Sequence, residues 1–139
     1  MIPVVGDVLF DEEFVFSDGK KGKKWFVVLA DVGDDTSNIY VARATSKEKS
    51  PKVEACHLDD FEPVYFLPAG KTFKVDTWLQ FDQVLIFDFS RAERLKRASF
   101  SNKQLSMPTM HKVISCAAQS DHIDGYTEEA LLKQAEIFK

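Results

Sequence analysis

Apolar residues in the first two thirds of the chain come in short bursts divided by turn-forming clusters, a spacing of about 8–12 residues that is typical of compact β-structure. The bursts are residues 4–10, broken at Gly6-Asp7 and resumed at 14–16, then 25–30, 39–44, 53–58, 63–67 and 78–87. Residues 25–30 (WFVVLA) are apolar at every position, which predicts a central strand covered on both faces. Residues 39–44 (IYVARA) alternate, setting Ile39, Val41 and Arg43 on one face and Tyr40, Ala42 and Ala44 on the other. Residues 53–58 alternate as an edge strand. In residues 76–88 (DTWLQFDQVLIFD) the Asp82-Gln83 pair splits an apolar run, which predicts two short strands about a polar break whose side chains need partners.

Turn signals separate these strands: Asp18-Gly19 in the polar stretch 17–24, the cluster 31–38 (DVGDDTSN), the charged loop 47–52 and Pro68-Ala69-Gly70. About six or seven short strands with no space for crossover helices imply an antiparallel, curled sheet, a small barrel. The pattern changes after Asp88. Residues 90–103 form a basic segment, and Met107, Met110, Val113, Ile114, Ala117 and Ala118 then recur at helical spacing behind the N-cap candidate Ser106 and Pro108. A last helix is expected from Thr127-Glu128-Glu129, with Leu131, Leu132, Ala135 and Phe138 inward. The expected fold is therefore mainly β with C-terminal helices in one domain of 139 residues, a barrel over 1–89 and a basic segment with helices over 90–139.

Composition refines this. Twelve phenylalanines favour sheet packing over a helix bundle. A net charge of -4 supplies no global attraction to nucleic acid, so such binding requires a local patch. Lys20, Lys21, Lys23 and Lys24 make one, read either as a solvated hairpin tip or as a phosphate contact. Cys56 and Cys116 have no CxxC spacing and are read as free buried thiols of a reducing, cytoplasmic setting. Their combination with His57, His111 and His122 matches no zinc spacing. The expectation is a soluble chain without a membrane segment or export leader.

Four features occur together in order: Gly6-Asp7 opening a strand, the basic stretch before residues 25–30, Thr45-Ser46 closing a strand, and Asp76-Thr77 through Asp82-Gln83 to Asp88, with Arg94-Leu95 beyond. In this the chain resembles the MazF/PemK (Kid-like) toxins of type II toxin–antitoxin systems. The resemblance covers residues 4–118 and implies an SH3-like barrel, a homodimer, an antitoxin partner and a metal-independent endoribonuclease without cofactors that cuts single-stranded RNA. In that chemistry the ribose 2′-hydroxyl attacks the adjacent phosphate. The resemblance would make Lys24 and Thr45 catalytic, the first supplying charge and a proton and the second bonding the phosphate. Lys21, Lys23, Ser46, Thr77, Asp82 and Gln83 would contact substrate, with the loop over 17–23 closing on it.

The chain also departs from the family pattern. Lys24 stands where the family has arginine, Trp25 where it has proline, and Gln80 and Leu85 fill two further basic positions. A compact ammonium does not replace a bidentate guanidinium, so the nuclease implied is weakened or altered. The alternative is a non-catalytic barrel that binds a protein or nucleic acid partner. His57 is a further acid–base candidate, and Trp25 and Trp78 are read chiefly as core residues, with stacking on unpaired bases as the alternative.

Overall fold

The computed structural model describes residues 3–32, 37–58, 62–70, 72–98 and 103–139, apart from the side chains of Arg97 and Ala98. The protein is mainly β. Six strands, β1 (Val8–Val15), β2 (Lys21–Asp31), β3 (Ile39–Thr45), β4 (Cys56–His57), β5 (Val64–Leu67) and β6 (Thr77–Phe87), precede helices α1 (Phe89–Ala98), α2 (Met107–Ala118) and α3 (Gly125–Ile137). The strands pair antiparallel in the order β1-β2-β3-β6-β5-β4. The sheet is open, with β1 and β4 at its edges, so the expected closure into a barrel is not seen among the described residues.

Each face of the sheet has its own core, as the alternation in β3 predicts. Tyr40, Ala42 and Ala44 join Val27, Leu29, Leu79 and Phe81 under α2 and α3, which contribute Met110, Val113, Ile114 and Leu131. Ile39 and Val41 join Phe26, Val28 and Phe87 on the opposite face, where α1 adds Ala92 and Leu95. Full burial of each large side chain contributes roughly 1.5–3 kcal/mol, so this two-sided layering supplies most of the driving force. A third cluster, Val64, Phe66 and Trp78, sits on β5 and β6.

Three expected boundaries differ, each for a local reason. Residues 78–87 are one strand, because β3 and β6 shift register between Val41↔Leu85 and Arg43↔Gln80. The extra residues around Asp82-Gln83 arch out in this bulge without ending the strand. The lysine-rich stretch is likewise strand from Lys21 onward, paired as Phe14↔Gly22 and Val15↔Lys21, and the turn stands where Asp18-Gly19 signals it, with Gly19 at φ 84°. A Cβ at Gly22 would meet the Phe16 ring at 2.7 Å, so a larger residue there would push that ring aside. The 53–58 strand shrinks to Cys56–His57, since the Val53 amide turns back to the Pro51 carbonyl at 2.8 Å.

The helices refine the C-terminal reading. Ser106 caps α2, accepting the Thr109 amide. Asp124, not Thr127, caps α3, accepting the Thr127 amide at 2.7 Å. α1 occupies the segment read only as basic; Asp88 accepts the Arg91 amide at 2.8 Å at its start. Lys96 of α1 reaches the Gly6-Asp7 opening, where its Nζ lies 3.2 Å from Asp7 Oδ1 and both side chains are buried. Gly6 has φ 95°, and a Cβ there would stand 3.2 Å from the Leu105 carbonyl oxygen, so this close pass of the N-terminal segment needs glycine.

Cys56 and Cys116 are not free thiols. They form a disulfide that ties edge strand β4 to α2 across 60 residues of sequence. Two isolated hydrophobic bursts hide such a pairing, because neither cysteine's spacing reveals that the helix crosses over β4. No helix among the described residues is long and apolar enough to cross a membrane.

Candidate functional site

Between the α1-side core and the Trp78 cluster, the same face of the sheet carries a polar stripe. Period-two alternation puts Lys24 with Phe26 and Val28, and Thr45 with Arg43 and Val41, on this face. Gln80 stands opposite Arg43 in the β3–β6 register. The stripe is closely bonded. Lys24 Nζ donates to Gln80 Oε1 at 3.3 Å, the Gln80 amide donates to Glu62, and Glu62 also holds Lys49 at 3.3 Å. Arg43 forms an ion pair with Asp82. The Asp-Gln bulge thus has a definite consequence: it brings the Asp82 carboxylate onto the guanidinium.

Lys24 is the perturbed group. Burial lowers its pKa below the ordinary lysine value, and the positive charge of Arg43, then of Lys49, lowers it further against the opposing pull of Glu62 and Asp82. Arg43 Nε is buried and without a hydrogen-bond partner among the described residues. A buried guanidinium N–H left unsatisfied is costly.

This stripe floors part of a groove of about 1030 Å³. Among the described residues seven cationic side chains line it, Lys23, Lys24, Arg43, Lys47, Lys49, Lys74 and Lys103, and no carboxylate does. In a chain of net charge -4 this is a pronounced segregation of charge. Thr45, Ser46, Thr77 and Gln80 add hydroxyl and amide groups, and Phe10, Phe16, Trp25 and Phe73 an apolar part. Successive residues of a strand project to opposite faces, so Lys24 and Trp25 flank β2. The groove therefore wraps round the end of β3, where Thr45, Ser46 and Lys47 leave the sheet.

The fold brings most of the sequence candidates together. Lys23, Lys24, Thr45, Ser46 and Thr77 all line the groove. Thr45 Oγ1 accepts the Lys47 amide at 3.2 Å, a turn role that leaves its hydroxyl proton available. Thr77 is buried and donates to the Val75 carbonyl at 2.9 Å. Asp82 acts on the groove through Arg43. Lys21 and Gln83 are exposed and lie outside the lining, and the 17–23 stretch is not a closing loop because residues 21–23 are held in β2.

His57 is also outside, its Nε2 bonded to the Val53 carbonyl at 2.9 Å. His111 Nδ1 lies 2.9 Å from the Ala135 carbonyl oxygen, and the cysteines are joined to each other, so the zinc combination does not assemble. No cluster of three metal-ligating side chains occurs among the described residues.

The two tryptophans separate. Trp78 is 1% exposed and its indole donates to Ser50 Oγ at 2.8 Å, a core residue as expected. Trp25 is 37% exposed and lines the groove. The residue that sequence reasoning passed over is Arg43. Its signal was present in the alternation Ile39, Val41, Arg43, two positions before Thr45 on the same face, but nothing local says that a cation on this face meets Lys24 from the neighbouring strand. No protein-family model matches the chain, and no curated protein matches it.

Proposed function

We propose that the protein binds single-stranded RNA in this groove and cleaves it without a metal ion, as a divergent endoribonuclease of the MazF/PemK kind. The observation that carries the reading is the lining, among the described residues, of seven cations with no carboxylate around a lysine whose pKa is lowered beside an arginine. Such a surface suits a polyanion, and a displaced lysine suits proton transfer to a leaving oxygen. In the proposed reaction the 2′-oxygen bonds to phosphorus and the bond to the 5′-oxygen breaks. Solvent takes the hydroxyl proton, Lys24 protonates the departing 5′-oxygen, and a 2′,3′-cyclic phosphate and a 5′-hydroxyl result.

Arg43 stabilises the charge on the phosphorane, and Thr45 donates a hydrogen bond to a phosphoryl oxygen. On this reading Arg43 supplies from β3 the guanidinium that the family places where Lys24 stands. The six-stranded sheet is then an opened relative of the SH3-like barrel, and a homodimer, an antitoxin partner and a cytoplasmic setting belong to the same proposal.

The test is incubation with mixed RNA in excess chelator, followed by mapping of the ends. Cyclic phosphate ends from the wild type, lost in Lys24→Ala and Arg43→Gln and sharply reduced in Thr45→Ala with little change in melting temperature, support the reading. Equal cleavage by all four proteins overturns the assignments. A second reading, a non-catalytic RNA-binding protein, is favoured by the Arg43–Asp82 pair, which occupies part of the guanidinium. Tight, salt-sensitive binding with no new ends establishes it.

A further inference from the structure

We propose that the aromatic end of the groove is a stacking subsite for one unpaired nucleobase, with the Trp25 indole as its platform. This rests on the RNA-binding reading above and specifies what the groove holds. The residues after Trp25 along β2, from Phe26 to Ala30, are wholly buried, yet Trp25 is 37% exposed. Two neighbouring rings hold it in place. Phe10 of β1 stacks on the ring with centroids 4.4 Å apart and planes at 28°, and Phe73 stands perpendicular at 6.5 Å.

A stacked, strand-borne indole needs no reordering to accept a flat ligand, so little side-chain entropy is lost on binding. The surroundings define that ligand. Lys23, Lys74 and Lys103 line the same groove, and among the described residues no carboxylate does. An apolar peptide or lipid tail gains nothing from such a charge, and a bare phosphate gains nothing from the indole. A planar base flanked by phosphodiesters uses both, and it must be unpaired to present its face. The base lies on the opposite side of β2 from Lys24, so the strand carrying it passes round the end of β3 by Ser46 and Lys47.

The chain has two tryptophans, so Trp78→Phe leaves Trp25 as sole reporter; should that variant not fold, the difference between wild type and Trp25→Leu gives the same signal. The probe is a short oligodeoxyadenylate, which lacks the 2′-hydroxyl and cannot be cut by the proposed chemistry. The expected result is quenching of Trp25 and an affinity about 5- to 150-fold above that of the abasic oligomer of equal length, a ratio that collapses towards one in Trp25→Leu and is largely kept in Trp25→Phe.

Inorganic polyphosphate should bind without quenching. Equal affinity for the base-bearing and abasic oligomers, or quenching by polyglutamate equal to that by the oligonucleotide, overturns the subsite. RNA cleavage is read separately: cleavage without base-dependent quenching removes the subsite alone, and base-dependent quenching without cleavage removes the nuclease alone.

Discussion

The pairing of Lys96 with Asp7 allows a quantitative test of how α1 is secured. Their side chains are 8% and 5% exposed, 3.2 Å apart, and Asp7 Oδ2 also accepts the Val4 amide at 2.8 Å. Asp7→Asn keeps an oxygen for Val4 but leaves the Lys96 ammonium buried without a counter-charge. Lys96→Met leaves the carboxylate with one amide. Breaking a buried pair on one side costs about 3–5 kcal/mol, a large part of a total stability of roughly 5–15 kcal/mol.

Removing both charges together removes both desolvation costs, so the double variant should return to within about 1–2 kcal/mol of wild type or exceed it. The difference between the sum of the single losses and the double loss is then about 4 kcal/mol or more. Urea unfolding at neutral pH, followed by circular dichroism with the slopes compared, measures all four proteins. Single losses below about 1 kcal/mol, or a double loss equal to the sum of the singles, would refute the account of a desolvated, mutually dependent pair.

Three further outcomes follow from the groove and the disulfide. Single-stranded RNA binding should weaken with salt at a log–log slope of up to about -5 if all seven cations meet phosphates, and each Lys→Gln change in the lining should reduce the slope by about 0.7; a slope near zero in filter binding refutes electrostatic docking. Cleavage should decline as pH rises through the Lys24 pKa, which lies below the ordinary 10.5, because the ammonium is the acid. Lys49→Gln, which removes a positive charge facing that amine, should move this alkaline limb upward, and a downward shift in the pH–rate profile contradicts the assignment. Reduction of Cys56–Cys116 by a dithiol, or Cys116→Ser, should cost about 4 kcal/mol on the chain-entropy account of a bridge spanning 60 residues; a urea midpoint unchanged by dithiol refutes it.

The strands and the α2 cap were legible because their causes are local. Alternation places Val41 and Ala42 on opposite faces whatever else the chain does, and Ser106 followed by Pro108 starts a helix by its own chemistry. What the sequence concealed lies between elements. A polar dipeptide inside an apolar run reads as a break, yet a bulge lets β6 run through it, since the partner strand and not the run decides where pairing stops. α1 was hidden because a cationic surface masks its narrow buried edge, Ala92, Leu95 and Lys96. Lys24 and Thr45 could be nominated from their order. The neighbours that alter Lys24, namely Arg43, Lys49, Glu62 and Asp82, come from four other segments, and only the folded sheet unites them.

That register also determines where the chain tolerates length changes. Residues added to or removed from the connection between Asp31 and Ile39 leave Phe26↔Arg43 and Trp25↔Ala44 untouched, because the two cores on either side of β2 hold that alignment. A single residue inserted between Trp25 and Phe26 is different. It would rotate the N-terminal part of β2 by half a turn, exchanging the amine for the indole across the sheet. Homologues of this chain should therefore differ freely in their hairpin lengths while keeping the spacing from the position of Lys24 to the buried strand invariant.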